Sequence, residues 1–239
     1  MKLKFPIVVC AFIFLTSCQG PKTLQMQVNR KTYEPLLIHD KNILEDKSSK
    51  TLKLTIVDRA NLSDLSEVSK KNGYFLPLLL FSVWNYDMVI TLGNHSSNPR
   101  VVSFVQSSIE ETFERSGDFI IADSTSQSPH NYLCEITIDS INVNCDYNRT
   151  GMSSMNFYSA SETAHSSKGF VKLTLDLIEN DKSVLSKTYS IEKSVNFIKT
   201  DDNIKNVKHH AMKNLIENLT LSTKEIAENM VNDVNYKVE

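Results

Sequence analysis

The last third of the chain carries the pattern that most limits how it can fold. From Phe170 to Ile178 apolar residues fall at every second position, at Val171, Leu173, Leu175 and Leu177. A second run from Val184 to Phe197 puts Leu185, Tyr189, Ile191, Val195 and Phe197 on one face, interrupted by Lys187 and Lys193. Side chains of a strand alternate between the two faces of a sheet, so each run predicts a strand buried on one side only. Between them, Glu179-Asn180-Asp181-Lys182-Ser183 offers the Asn and Asp that tight hairpin loops favour. The period then changes. Asp201 and Asp202 suit the positive end of a helix dipole. Ile204, Val207, Ala211, Leu215, Leu219, Ile226 and Met230 form a long helical stripe, expected to bend near Ser222-Thr223.

The middle of the chain follows the same two periods. Leu52, Leu54 and Ile56 predict a half-buried strand. Tyr74 to Leu92 is strongly apolar and reads as two strands turning near Asn85, with Pro77 confined to an edge or a bulge because it lacks a ladder donor. Asn98 and Pro99 open a predicted helix, with Asn98 as N-cap and Val102, Val105, Ile109 and Phe113 as its apolar stripe. Gly117 is expected to close it in a left-handed conformation. Phe119 to Ala122 and Leu133 to Val143 predict two further strands. Asp146 to Lys168, rich in Ser, Asn and Met, predicts a long loop or flap. Strands and helices alternate only partly along this order. The expected fold is therefore α+β, a mostly antiparallel sheet with two amphipathic helices packed on one face.

The N-terminus sets the domain boundaries. Lys2 and Lys4 precede an apolar run of 11 residues, Phe5 to Leu15. A membrane-spanning helix needs about 20 residues, so this run is too short to cross and fits a secretory signal. Behind it, Leu15-Thr16-Ser17-Cys18 resembles a bacterial lipobox. The resemblance implies cleavage before Cys18 and acylation of that residue, with residues 1–17 as a lipoprotein signal peptide. Two or three acyl chains anchor a protein durably, whereas one is marginal. Gln19 stands where an Asp would retain a lipoprotein in the inner membrane, and the first acid after Cys18 is Glu34. The implied location is the outer membrane, facing the periplasm. Residues 18–50 are polar and without steady period, which predicts a tether, and residues 51–239 predict one α+β domain.

Composition removes several function classes. Loss of Lys2 and Lys4 with the signal takes the formal charge from −2 to −4, which gives nucleic acid no electrostatic reason to bind. Only 6 glycines leave little room for phosphate-cradling loops. Ser190-Ile191-Glu192-Lys193 has S-x-x-K spacing but lies in a strand pattern, so its Ser and Lys point to opposite faces. His209 and His210 diverge by about 100° on one helix, and the other four, His39, His95, His130 and His165, are scattered through polar segments, so no metal site is expected. Glu110, Glu111 and Glu114 read as a solvated helix face, or as one that meets a basic partner. Cys10 leaves with the signal and Cys18 is lipidated. Cys134 and Cys145 remain as free thiols, unless the chain doubles back to pair them in the oxidising envelope. No catalytic residue and no cofactor is expected. Phe81, Trp84 and Tyr86 are the candidate ligand or partner contacts, because clustered aromatics line binding clefts.

The stretch from Val101 to Ile121, followed by Asn131 to Val143 and a hairpin, resembles the ABC-type transport auxiliary lipoproteins. Arg115, Ser116, Gly117 and Phe119 carry the match, where a helix ends in a basic residue, a small residue and Gly before a short strand. The resemblance implies an accessory subunit, without chemistry of its own, that supports a transporter through an envelope protein partner. The alternative reading is a periplasmic lipid- or glycan-binding module built on the Tyr74–Leu92 segment and the 146–168 flap.

Overall fold

The computed structural model describes residues 21–35, 50–78, 81–122, 131–154, 157–201 and 204–238. The signal segment and Cys18 lie outside them, as do His39 and His130. Helix α1 spans Pro21–Val28. Strands β1 (Thr51–Asp58), β2 (Glu67–Pro77) and β3 (Phe81–Thr91) follow. Helix α2 covers Val101–Ser116, and β4 is a two-residue strand, Ile120–Ile121. Strands β5 (Tyr132–Ser154), β6 (Tyr158–Glu179) and β7 (Lys182–Asp201) are each 20 residues or longer. Helix α3, Ile204–Val238, closes the fold.

Strand β5 organises the sheet. One edge pairs along its length with β6, antiparallel, and β6 pairs with β7. The other edge is shared. Tyr132 to Ile138 pair with β1 in parallel, whereas Asn144 to Ser154 pair with β3 antiparallel. Beyond these, β4 lies parallel to β1, and β2 antiparallel to β3. The sheet is mostly antiparallel with two parallel pairings at one corner. The α+β class expected from the sequence is the class observed.

The alternation holds residue by residue in the first hairpin arm; in the second, Tyr189 is buried, Leu185 and Ile191 are half-buried, and Val195 is exposed. Val171, Leu173, Leu175 and Leu177 are all fully buried. The turn is tighter than the five-residue loop expected, because Asn180 and Asp181 both adopt positive φ (49° and 61°), the geometry of a two-residue type I′ hairpin. Facing this strand, α3 buries Val207, Ala211, Leu215, Leu219, Ile226 and Met230. Each such aliphatic side chain contributes roughly 1.5–3 kcal/mol on burial. The helix runs unbroken through Ser222 and Thr223. Both are fully buried, and the Ser222 hydroxyl donates to the Gly169 carbonyl (3.2 Å), where a Cβ on Gly169 would lie 3.0 Å from the Asn218 backbone. The two polar residues mark close packing here rather than a bend.

Helix α2 packs beside α3 and buries Val102, Val105, Ile109 and Phe113. It begins later than expected, with Arg100 at the N-cap position and no side-chain cap from it. Asn94, from the preceding turn, accepts the Val102 N–H instead (3.1 Å). Gly117 has φ −77°, so no left-handed conformation is involved. Space explains it: a Cβ there would lie 2.4 Å from the Phe119 ring and 2.5 Å from the Phe113 carbonyl.

Three segments depart further from expectation. The turn between β2 and β3 lies at Leu78 and Phe81, closed by the Leu78 N–H to the Phe81 carbonyl (2.7 Å), and Asn85 sits inside β3. Pro77 is the last residue of β2, an edge strand, as its missing donor requires. Residues 146–154 and 158–168 of the expected loop continue β5 and β6. Polar side chains tie them to their neighbours: Ser153 to Ser82 of β3 (2.9 Å), Asn148 donating to Asn85 and Asp87 of β3 (2.9 and 2.6 Å), and Ser166 of β6 donating to Asp146 of β5 (3.0 Å). Finally, residues 21–35, expected within a tether, belong to the fold. Leu24 and Val28 are buried on α1, Asn29 exchanges hydrogen bonds with the Ser66 backbone, and Tyr33 bridges to Ser97.

Candidate functional site

The head of α3 marks where the helix layer ends on the sheet. Lys208, one turn into α3, lies 4.0 Å from Glu162, the β6 residue paired with Arg149 of β5. Beyond this row, β2, β3, β5 and the start of β6 continue as an arm. The four further residues of β6, Tyr158 to Ser161, at ~3.3 Å each make it project by about 13 Å.

A buried polar cluster sits at the base of the arm. Glu162 is fully buried, and Arg149 is 4% exposed. Arg149 Nε lies 3.2 Å from Glu162 Oε1, and the Tyr147 hydroxyl donates to Glu162 Oε2. Lys208 also donates to Gln27 of α1. The cluster therefore ties sheet, long helix and N-terminal helix together. Burial pushes the Glu162 carboxyl above its ordinary value of 4.5, and the opposing pull of Tyr147, Lys208 and Arg149 does not cancel it. Burial, and then the charge of Glu162, also raise the Tyr147 hydroxyl. A buried ion pair of this kind is costly to desolvate and more costly to break, so it fixes a geometry rather than adding net stability.

The candidate aromatics divide between the two faces of β3. Trp84 and Tyr86 point to the helix side and Phe81 to the outer side. Trp84 is 1% exposed and packs over Gly151, where a Cβ would lie 2.5 Å from its Cζ2. Its ring lies 5.9 Å from that of Tyr158. Its Nε1–H meets no acceptor among the described residues. Phe81 is 43% exposed. The three thus do not converge on one cleft. The outer face of the arm carries what the sequence reading missed. Leu76, Val83 and Met152 stand directly opposite one another across β2, β3 and β5. Tyr74, Leu76, Leu78, Phe81, Met152 and Phe157 are all exposed. No charged residue occurs from Gly73 to Tyr86 or from Thr150 to Ser161. That double gap in charge was readable in the sequence, but its meaning depends on β3 and β5 being neighbours.

The remaining candidates take ordinary positions. Glu111 pairs with Arg115 (2.7 Å), and Glu110 and Glu114 are exposed. The Tyr33 ring meets His209 at 5.5 Å, and His95 lies 3.5 Å from Asp64. Ser190 and Lys193 lie on β7, where Lys193 reaches Glu225 of α3. A solvent-open groove of about 290 Å³ lies beside that pair, lined also by Leu221, Lys224 and Glu228. Cys134 and Cys145 are free, buried, and on the same strand. At ~3.3 Å per residue they are more than 30 Å apart, far beyond disulfide reach. Burial pushes both thiols up to about 12.

No protein-family model matches the chain, and no curated protein matches it significantly. Among solved structures, it is similar to a Xanthomonas campestris protein of the family DUF330. The TM-score is 0.43 at 12% identity, over 87% of this chain and 95% of that one. It is also similar to a minor lipoprotein from Acinetobacter baumannii, with a TM-score of 0.32 at 5% identity, over 78% and 93%.

Proposed function

We propose that the chain is a membrane-anchored, non-catalytic accessory lipoprotein of the bacterial cell envelope. Cys18 is its lipid anchor, the outer membrane its site, and support of transport or envelope assembly through a protein partner its task. The observation that carries this reading is the position of α1. It begins three residues after Cys18 and is packed into the fold through Leu24, Val28 and Gln27. Three residues span at most about 11 Å, so an acylated Cys18 holds the whole domain against the bilayer. A second support is the outer face of the sheet. Below the arm it presents charged and polar side chains, among them Lys53, Glu135, Asp146, Lys172 and Asp176, with edge strand β2 alongside. This broad face suits a protein partner. The groups with shifted titration support a non-catalytic role. Glu162 and Tyr147 are sealed from solvent, and Asp233 is held by Lys187 (2.6 Å) and Tyr189 (2.5 Å).

Mild crosslinking in native membranes, followed by purification, tests the reading. Recovery of an envelope transport or assembly protein is expected. Recovery of bound lipid or glycan with no protein would overturn it in favour of a ligand-binding module.

A further inference from the structure

Charge is distributed unevenly along the outer face of the sheet. It is dense below the arm and absent from the arm's end, where two hairpin tips lie side by side. Leu78 N–H to the Phe81 carbonyl closes one tip, and Ser154 N–H to the Phe157 carbonyl closes the other, each at 2.7 Å. Phe81 pairs with Ser154, so both tips point the same way. Isolated exposed apolar side chains need no explanation, but a contiguous uncharged patch does. Interfacial amphipathic helices bury their apolar side some 5–10 Å into the boundary between headgroups and acyl chains, and an uncharged apolar patch on a sheet has the same physical reason to enter it.

The leash decides what covers the patch. Helix α1 packs on β2 between two points: Asn29 bonds the Ser66 backbone beside the start of β2, and Gln27 meets Lys208, whose ammonium lies 4.0 Å from Glu162 at the base of the arm. Cys18 is within about 11 Å of Pro21. The opposite end of the sheet, at Asn180, is 17 strand residues from Glu162, roughly 56 Å away. The anchor can therefore bring the arm to the bilayer but not the far end. We infer that Tyr74, Leu76, Leu78, Phe81, Met152 and Phe157 enter the headgroup–acyl boundary of the membrane that holds Cys18. The arm is then a second, non-covalent membrane contact that fixes the tilt of the domain, and this rests on the lipid-anchor reading of Cys18.

The full lipidated chain is tested in vesicles of phosphatidylethanolamine and phosphatidylglycerol. An environment-sensitive nitrobenzoxadiazole probe is placed at Leu76→Cys, and in a second variant at Asn142→Cys, an exposed position far down the outer face. Cys134 and Cys145 are fully buried and escape labelling. Flotation with the vesicles reports the anchor, and the probe reports the arm. The expected result is flotation of both variants, with blue-shifted emission quenched by nitroxide lipids at position 76 only. Adding Met152→Asp should abolish that blue shift without loss of flotation. Flotation with a water-like probe at 76 would overturn the inference alone and leave the patch to a second copy or a protein partner. A blue shift that survives Met152→Asp would also overturn it, because the probe alone would then be partitioning. Failure to float would overturn the anchor reading, and the arm's contact with it.

Discussion

Glu162 illustrates how one side chain can be decisive and yet silent in the sequence. It sits in a run of Ser, Thr and Ala, yet is fully buried against Arg149, Tyr147 and Lys208. Breaking a buried pair leaves an uncompensated charge. Glu162→Gln should therefore cost about 3 kcal/mol in a denaturant titration at neutral pH. The dependence on pH has a definite sign. Burial raises the folded-state value of Glu162 above 4.5, so the native chain holds the proton longer than the unfolded one. The contribution of Glu162 to stability is full below its unfolded value and declines as pH rises through the folded one. The stability gap between wild type and Glu162→Gln should narrow over that window, and a gap that widens would contradict the assignment. At Gly151 the constraint is steric. Gly151→Ala forces a methyl against the Trp84 ring and the Ser159 carbonyl (2.5 and 2.6 Å). It should destabilise by about 1–3 kcal/mol and shift the emission of Trp84, the sole tryptophan. Cys134 and Cys145 should be inert to thiol reagents in the native state and react on unfolding, because both are fully buried and burial pushes their thiols up to about 12.

At the scale of elements, periodicity was informative wherever burial was apolar. The stripes of α2 and α3, the strand at Leu52 and the hairpin around Asn180 could all be read from spacing, because one face of each enters a dry core. Two features escaped that logic. The arm of β5 and β6 is held by Ser, Thr and Asn pairs, and a polar ladder has no hydrophobic period to detect. Helix α1 is only 8 residues long, with two buried side chains, too few to establish a stripe. Its docking can be tested directly. Leu24→Ala should cost about 2–5 kcal/mol if α1 belongs to the fold, whereas a tether position would shift stability by less than about 0.5 kcal/mol. Of the candidate aromatics, Trp84 is a core residue and Phe81 the exposed one. Spacing alone could not separate them, because it does not say which face of β3 is covered.

At the scale of the whole molecule, the described residues form a long sheet covered on one face by three helices, and the N-terminal helix reaches the base of the uncharged arm through Gln27 and Lys208. That arrangement makes sense of a chain whose start reads as a signal followed by Cys18. Metabolic labelling with an alkyne fatty acid, combined with fractionation of the native cell envelope, tests this most directly. Wild-type chain should carry the label and sediment with membranes, and Cys18→Ser should lose the label and appear in the soluble fraction. A Cys18→Ser chain that still carries the fatty acid, or a wild-type chain that never acquires it, would contradict the account.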